Sequence, residues 1–259
     1  MMNRIRAACH VHSTWSYDGK WKLDQLARSF AKRNYRVVLM TEHDQGFDEA
    51  KRLEHREACR MASTESILLV PGIEYSDPTN VIHLLVWGDV PFIGSRVEPE
   101  RILAAAQEHG GISVLAHPSR KEAWRRFDPN WSSMLLGIEF WNRKTDGWAP
   151  SKPAWSLLQK TNLMPFAGLD FHDSRQFFPM GIFLEMPDPI SENAVLAALR
   201  ARRGGSEVFG RGASKLADGL PVGTLHHAEA LRRVAAGIYR TAVSRFKGKQ
   251  VRDLSGFGS

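Results

Sequence analysis

The chain has 259 residues, of which 43% are hydrophobic and 24% charged, a balance typical of a globular protein with a sizeable core. No stretch approaches the ~20 apolar residues of a membrane span, no apolar run follows the first arginines as in a signal peptide, and the two cysteines suggest no disulfide framework, which together predict a cytoplasmic, reduced protein. The net charge of +7 is concentrated in residues 196–259, where 12 Lys/Arg face 4 Asp/Glu, so the sequence leaves nucleic acid open as a partner of this end.

The first predicted strand, Arg4 to Cys9, ends at two histidines. His10 and His12 are one residue apart, so on a strand both side chains point to the same face. A polar turn then brings Asp18 after them. Two imidazoles and a carboxylate are ligands that a divalent metal of borderline hardness accepts, although a histidine at a strand end is often only polar surface.

Downstream, apolar runs alternate with amphipathic segments. The predicted strands are 36–40, 67–74, 81–87, 112–116, 135–140 and 164–169, and the predicted helices are 23–34, 47–63, 99–109 and 152–160. Strands that alternate with helices predict a mainly parallel sheet, and this number of units in one domain predicts an α/β barrel.

Side chains that can bind a metal recur at or just after the carboxyl ends of these predicted strands: His10, His12, His43, Glu74, His117, Asp170 and His172. In α/β barrels this face carries the active site, because the loops there converge over the strand ends. Each residue alone has a simpler interpretation: His43 as a loop histidine, His83 as a core histidine within its strand, Glu74 as a surface carboxylate. Their common position at one rim favours a shared site.

In these same segments the sequence resembles the polymerase and histidinol phosphatase (PHP) superfamily of metal-dependent phosphoesterases. The resemblance covers about residues 4–203 and rests on six motifs: His10-Val11-His12-Ser13 with Asp18-Gly19, Thr41-Glu42-His43-Asp44, Pro71-Gly72-Ile73-Glu74, Ile82-His83-Leu84-Leu85, Ala116-His117-Pro118 and Gly168-Leu169-Asp170-Phe171-His172. Every metal-ligand position of the family pattern is filled, in order.

The resemblance implies a distorted seven-stranded β/α barrel that binds two or three divalent ions at its carboxyl face. Carried over by position, one ion is held by His10, His12, Glu74 and Asp170. A second shares Glu74 as a bridging carboxylate and adds His83 and His117, and a third is held by Asp18, His43 and His172. Mixed imidazole and carboxylate ligands suit Mn, Zn or Fe.

One position departs from the family pattern. Glu42 stands where the family commonly has Asp, directly before the liganding His43. The residue there is expected to contact a ligand rather than the metal, so the change concerns the orientation of a ligand more than metal binding itself.

The implied reaction is hydrolysis of a phosphate ester by water that closely spaced cations activate. The catalytic roles fall to Glu74, Asp170 and His172, and no G-x-S-x-G motif offers a serine nucleophile instead. Cationic side chains beside the metals would bind the phosphate oxygens. The candidates that follow predicted strand ends are Arg120, Arg143 and Arg175; Arg143 and Arg175 are favoured, and each can also be an ordinary loop arginine.

The substrate stays open between a phosphorylated small molecule, a nucleotide and an oligonucleotide end, as in an exonuclease. Several aromatic residues are predicted in loops over the site, where they either stack on a nucleobase or pack over the barrel mouth: Trp15, Tyr17, Trp21, Trp141 and Trp148. A non-catalytic metal-binding regulatory module and an amidohydrolase acting on C–N bonds are the alternatives from other classes.

The sequence divides at residue 210 into a catalytic barrel, 1–210, and a basic, partly helical C-terminal extension, 211–259. A predicted helix over about 226–246 places Leu231, Val234 and Ala235 on an apolar stripe among arginines. Such a helix either packs on the barrel or binds nucleic acid or an anionic membrane surface. The sequence does not indicate an oligomeric state.

Overall fold

Twelve strands and seven α-helices make up the part of the chain that the computed structural model describes, residues 2–212 and 223–237. The strands are β1 (Asn3–Val11), β2 (Val37–Met40), β3 (Glu42–His43), β4 (Leu68–Val70), β5 (Gly72–Ser76), β6 (His83–Trp87), β7 (Ile112–Leu115), β8 (Gly137–Asn142), β9 (Met164–Gly168), β10 (Met180–Met186), β11 (Gly204–Val208) and β12 (Arg211–Gly212). The helices are α1 (Leu23–Ala31), α2 (Glu49–Ala62), α3 (Pro99–Glu108), α4 (Arg143–Asp146), α5 (Lys152–Gln159), α6 (Glu192–Arg200) and α7 (223–237). Short 3-10 segments span Arg120–Arg126, Pro129–Ser133 and Ser174–Gln176.

The strands hydrogen-bond into two mixed sheets of six strands each. The first has the order β12-β11-β10-β1-β2-β4, and the second has the order β3-β5-β6-β7-β8-β9. Parallel pairs, such as β1 with β2 and β8 with β9, occur in both sheets. Antiparallel pairs also occur in both, including β1 with β10 and β5 with β6.

The predicted α/β class is confirmed, but the prediction of a mainly parallel sheet is wrong. Within the described residues the strands pair as two sheets, and the expected closed seven-stranded barrel is not confirmed. One cause of the antiparallel pairing lies between β5 and β6, where Asp77-Pro78-Thr79-Asn80 turns the chain back without a helix. The other is β10, which the sequence did not predict and which runs antiparallel along β1.

The two sheets are joined by backbone hydrogen bonds beside the end of β1. Leu169 N donates to Cys9 O at 2.9 Å, Phe171 N donates to His10 O at 3.0 Å, and His12 N donates to Phe171 O at 2.9 Å. The segment that follows β9 in the second sheet thereby continues along β1 of the first. This junction sets two of the predicted metal-binding segments side by side.

Local sequence accounts for most element boundaries. The predicted helices correspond to α1, α2, α3 and α5, and α1 buries the predicted apolar positions Leu23, Leu26, Ala27 and Phe30. The predicted strand over 67–74 is divided into β4 and β5 at Pro71, whose nitrogen has no hydrogen to donate to a neighbouring strand. Asp48, Ser151 and Ser191 begin their helices by accepting a hydrogen bond from a backbone N–H of the first turn.

The core lies under the strands of both sheets and is almost entirely aliphatic and aromatic. Both cysteines are buried and free, and Cys9 is a core residue of β1. Several large side chains of the second sheet are buried, among them Trp87, Phe140 and Phe166. None of the helices among the described residues is long and apolar enough to span a membrane.

The chain separates into two compact units, Met1–Leu220 and Pro221–Ser259. The described part of the second unit is α7, on which Leu231 and Val234 are exposed and Arg232 and Arg233 bind the carboxylate of Glu229. Residues 238–246, where the sequence predicts that this helix continues, lie outside the described residues.

Candidate metal centre

All nine side chains predicted to bind metal converge at one end of the first unit. Eight of them are buried and Asp18 is one-third exposed. Their ligand atoms form four overlapping groups, each with its atoms within 4.8 Å of one another: His10, His12 and Glu74; His10, His117 and Asp170; Glu74, His83 and His117; and His12, His43 and His172. Asp18 adds to the last group, because its two carboxylate oxygens lie 3.3 Å from His43 Nε2 and 3.0 Å from His172 Nε2.

Three of these residues have a left-handed backbone conformation that a residue with a Cβ rarely adopts. The φ angles are 63° at His10, 24° at His117 and 48° at Asp170. At His10 the pairing of β1 with β2 also shifts register, between Cys9 and Val11. Unfavourable φ values of this kind persist only where the surrounding structure enforces them, and they concentrate at functional sites.

His83 reaches the rim because the strand that carries it is reversed. It is the first residue of β6, and in the antiparallel pair it lies opposite Ser76, the last residue of β5. The start of an antiparallel strand lies at the same sheet edge as the end of its neighbour. A histidine that the sequence placed inside a strand therefore lies beside the ends of the parallel strands.

Glu74 lies at the middle of the cluster, with its two carboxylate oxygens facing different histidines. Oε1 lies 2.7 Å from His83 Nδ1 and 2.9 Å from His117 Nε2. Oε2 lies 3.4 Å from the Nε2 atoms of both His10 and His12 and 3.1 Å from His43 Nδ1. A carboxylate placed in this way can donate one oxygen to each of two cations.

A second observation, the lack of hydrogen-bond partners, also indicates that these ligand atoms suit divalent metal ions. Several of its buried polar atoms have no hydrogen-bond partner in the described part of the chain: His10 Nε2, His12 Nε2, His43 Nε2, His117 Nδ1, Glu74 Oε2 and Asp18 Oδ1. Buried polar atoms are nearly always satisfied in native proteins, so a group of unsatisfied ones requires an explanation such as an ion. Most of these atoms belong to the groups that converge on the cluster.

The charges of the cluster are strongly coupled. Burial opposes a charge on His43, but the nearby carboxylates of Asp18 and Glu74 outweigh it and raise its pKa to about 10. Burial lowers the pKa of His83 to about 4 and, with His43 and His172 nearby, holds the pKa of His12 well below its usual value. Imidazole must be neutral to coordinate a metal, so an arriving cation has to displace the proton of His43.

Glu139 is a residue in contact with the cluster that the sequence interpretation missed. It is completely buried in β8, where its Oε1 accepts a hydrogen bond from His10 Nδ1 at 2.9 Å. Its Oε2 accepts from His117 N at 2.9 Å and from Asn142 Nδ2 at 3.0 Å. A carboxylate on Nδ1 of a histidine fixes the tautomer that leaves Nε2 free for a metal. A glutamate at a predicted strand end was a weak local signal, because nothing in the sequence pairs it with His10, 129 residues away.

Glu42 occupies the indirect role expected for it. Its buried carboxylate accepts hydrogen bonds from Ser13 N at 3.0 Å, from Ser13 Oγ at 2.6 Å and from Ser16 Oγ at 2.5 Å. Ser16 Oγ in turn accepts from His43 N at 3.0 Å and lies 3.4 Å from His12 Nδ1. Glu42 thus acts on two histidines of the cluster through the serines of the first loop.

The three predicted phosphate-binding arginines differ in their surroundings. Arg120 lies next to the cluster, with Nη1 3.2 Å from His83 Nε2 and 3.1 Å from Asn80 O. The guanidinium of Arg143 lies over the ring of Phe178, with Cζ 5.2 Å from the ring centroid. Arg175 is an exposed side chain that binds the carboxylate of Asp173 through Nε and Nη2.

The aromatic residues of the loops mostly contribute packing. Trp141 is buried, Trp15 packs against Phe47 and His55, and Trp21 packs against Phe171 and Phe177. Tyr17 is the exception near the cluster, because it is 70% exposed and its ring is stacked on that of His43 with the centroids 5.0 Å apart.

No protein-family model and no curated protein matches the chain. Several solved structures resemble it. One is a two-domain protein from Bacteroides vulgatus ATCC 8482 that contains a predicted PHP-like metal-dependent phosphoesterase (TM-score 0.63, 18% identity, 80% of this chain and 65% of the other). Others are PsfC from Pseudomonas syringae PB-5123 (TM-score 0.59, 14% identity, 93% and 100%) and the lesion-specific endonuclease PfuEndoQ from Pyrococcus furiosus (TM-score 0.58, 11% identity, 80% and 58%). The chain spans less than two thirds of the first and the third of these proteins. At these identities the comparison concerns the fold alone: it supports the resemblance to PHP-like proteins that the motifs indicated, whereas the closed barrel implied by that resemblance is not confirmed.

Proposed function

We propose that this protein is a metal-dependent hydrolase of phosphate esters in which metal-activated water attacks phosphorus. The observation that supports this most directly is Glu74, whose two oxygens each face a different set of buried histidines. A bridging carboxylate among imidazoles is a ligand arrangement suited to two neighbouring cations.

We assign the ligands in three sets. His10, His12, Glu74 and Asp170 would hold the first ion, Glu74, His83 and His117 the second, and Asp18, His43 and His172 the third. The ions would be Mn, Zn or Fe, two or three in number. When bound, such ions lower the pKa of a coordinated water and neutralise the charge of phosphoryl oxygens.

The protein side chains would supply position and charge. Glu74, Asp170 and His172 are the proposed catalytic residues, and each is also a proposed ligand of an ion. Glu139 keeps His10 in the tautomer with a free Nε2, and its burial prevents water from competing for the hydrogen bond. Phosphate oxygens would be bound by Arg120, Arg143 and Arg175, of which Arg120 is next to a proposed ligand.

The favoured substrate is a small phosphate monoester or a nucleotide. A nuclease acting on oligonucleotide ends is the second candidate, and two observations favour it. The basic C-terminal region can attract a polyanion, and a lesion-specific endonuclease shares the fold.

The test combines metal analysis with a substrate screen on the purified protein and on Glu74→Gln. The screen covers phosphate monoesters, diesters and oligonucleotides. The variant should lose bound metal and turnover while its circular dichroism spectrum stays unchanged, and Glu54→Gln, at an exposed position of α2, serves as the control. Unchanged metal stoichiometry in Glu74→Gln would refute the bridging role, and a wild-type protein that binds metal but hydrolyses none of these esters would favour a non-catalytic module.

A further inference from the structure

A lysine that the motifs do not include reaches the metal-binding side chains. Lys144 Nζ lies 3.0 Å from His172 Nε2 and 3.4 Å from Asp170 Oδ1. Its side chain is 40% exposed, whereas that of Asp170 is 6% exposed. The ammonium group therefore lies between the buried cluster and solvent.

The backbone that carries Lys144 is held firmly in place. Lys144 belongs to α4, a single turn directly after β8, and Asn142 begins this turn by accepting a hydrogen bond from Thr145 N at 2.9 Å. Asp146 closes it by accepting from Asn142 N at 2.8 Å and from Ser119 Oγ. Because Asn142 also donates to Glu139, the group that positions Lys144 is linked to the group that orients His10. Such support pre-organises a binding residue.

Arg120 is a second cationic side chain next to the cluster. It contacts His83, which belongs to a different group of potential ligands from His172. One cationic side chain thus lies next to each of these two groups. Arg143 and Arg175 are engaged with Phe178 and Asp173 respectively, so they need a side-chain rearrangement before they can do the same.

We propose that Lys144 binds the phosphoryl group of the substrate on the flank formed by Asp170 and His172. This inference rests on the proposed phosphoesterase function. If His172 Nε2 coordinates a metal, its single lone pair is no longer available to Nζ, and the flexible four-carbon chain can carry three donors and a positive charge to the nearest anion. A lysine acts on phosphate as a point charge, which suits a phosphoryl group whose geometry changes during reaction.

The experiment measures the affinity of the metal-loaded protein for inorganic phosphate by calorimetry. The proteins compared are wild type, Lys144→Met, Lys144→Arg and Lys20→Met, together with the metal content of each. Lys20 is the matched control, because its Nζ binds Asp173 at 3.1 Å and none of the proposed ligands. Loss of a charge-assisted hydrogen bond should make phosphate binding by Lys144→Met about ten- to a hundredfold weaker.

Two further results complete the expected pattern. Lys144→Arg should retain most of the affinity and Lys20→Met all of it, and none of the three substitutions should alter the metal content. On a phosphate ester that the wild type hydrolyses, Lys144→Met should lower kcat/KM by a similar factor.

Three outcomes would overturn the inference. If the wild type hydrolyses esters and Lys144→Met binds phosphate equally well, Lys144 has no part in binding while the phosphoesterase proposal stands. If Lys144→Met instead binds Mn or Zn more tightly with unchanged phosphate affinity, the lysine only competes with the metal. If the metal-loaded wild type neither binds phosphate nor hydrolyses any ester, the proposed function fails and the role of Lys144 fails with it.

Discussion

At the scale of single residues, the contacts around the cluster matter as much as the ligands. Glu139 is the clearest case, because one buried carboxylate accepts hydrogen bonds from the His10 ring and from the backbone of His117. It acts on two of the proposed ligands without being one of them. Residues in such positions tune the affinity of a site for its metal.

Glu139→Gln should weaken metal binding about ten- to a hundredfold. The amide keeps the shape of the side chain, but its NH2 group facing His10 Nδ1 would favour the tautomer with a proton on Nε2, the atom needed for coordination. A competition titration with a chelating dye measures the effect. Glu185→Gln, at an exposed position on β10, should leave the affinity unchanged. Equal metal affinities for both variants would show that Glu139 does not affect metal binding.

His55 allows a prediction about pH. It is buried in α2, with its Nε2 3.3 Å from Cys59 Sγ, and burial lowers its pKa to about 3. In the unfolded chain a histidine takes up a proton near pH 6.5, whereas the folded protein resists protonation there. The unfolded state therefore binds more protons, and His55 makes the folded state progressively less stable as pH falls from about 6.5 towards 3.

We expect His55→Phe to reduce this acid sensitivity. A single group changes the free energy of unfolding by at most about 1.4 kcal/mol per pH unit. Between pH 6 and 4 the free energy of unfolding of the wild type should therefore fall more steeply than that of the variant, by up to this amount for each pH unit. Urea unfolding in the presence of a chelator measures it, with His109→Gln at an exposed position as the control. Parallel curves for wild type and His55→Phe would contradict the prediction.

At the scale of elements, two features bring the site together. The β5–β6 turn reverses the chain so that His83 and Glu74 lie at one rim. The close approach of β9 to β8 depends on Gly168, because a Cβ at this position would overlap Glu139 Oε1 and lie 3.2 Å from His10 Cβ. Strand packing and ligand orientation therefore depend on the same residue.

Gly168→Ala should lower both the stability and the metal affinity. The added methyl group must displace the Glu139 carboxylate, and overpacking of this kind costs about 1–3 kcal/mol. Chemical unfolding and metal titration measure the two effects. Gly212→Ala is the control, since nothing lies within 4 Å of a Cβ added there. Because both changes act through one hydrogen bond, Gly168→Ala combined with Glu139→Gln should lose less metal affinity than the sum of the single effects; full additivity would show that the two positions act separately.

At the scale of the whole molecule, all the proposed ligands lie in the first compact unit, Met1–Leu220. The second unit, Pro221–Ser259, carries seven Lys/Arg and two Asp/Glu. The chemistry and the excess positive charge thus lie in different parts of the chain. This separation permits an experiment that distinguishes a small-molecule phosphatase from a nuclease.

Truncation after Leu220 should preserve the turnover of a small phosphate ester, because it removes none of the proposed ligands. Steady-state kinetics on the best ester and binding of a single-stranded oligonucleotide at several salt concentrations measure the outcome. If the basic region binds phosphates, the truncated protein should bind the oligonucleotide more weakly and with a smaller dependence on salt, since fewer counterions are released. An unchanged salt dependence would exclude the second unit from oligonucleotide binding, and loss of ester turnover in a folded truncation would contradict its independence from the site.

The sequence by itself determined many of the elements before β10 and the types of side chain that lie at the rim. Periodicity located α1, α2, α3 and α5, and the motifs identified the nine side chains that converge in the structure. These properties are local, because a strand end and a ligand type are both encoded within a few neighbouring residues.

Tertiary structure alone decided how the strands pair and what surrounds the rim. The antiparallel return of β10 along β1 joins residues about 180 positions apart, as in the pairing of Asn3 with Met186. The hydrogen bond from His10 to Glu139 and the contact of Lys144 with His172 likewise depend on where β8 and β9 pack. Strand direction and contacts to the ligands from other side chains depend on packing and burial between segments that are distant in sequence. Their free energy cannot be predicted from a short stretch of sequence.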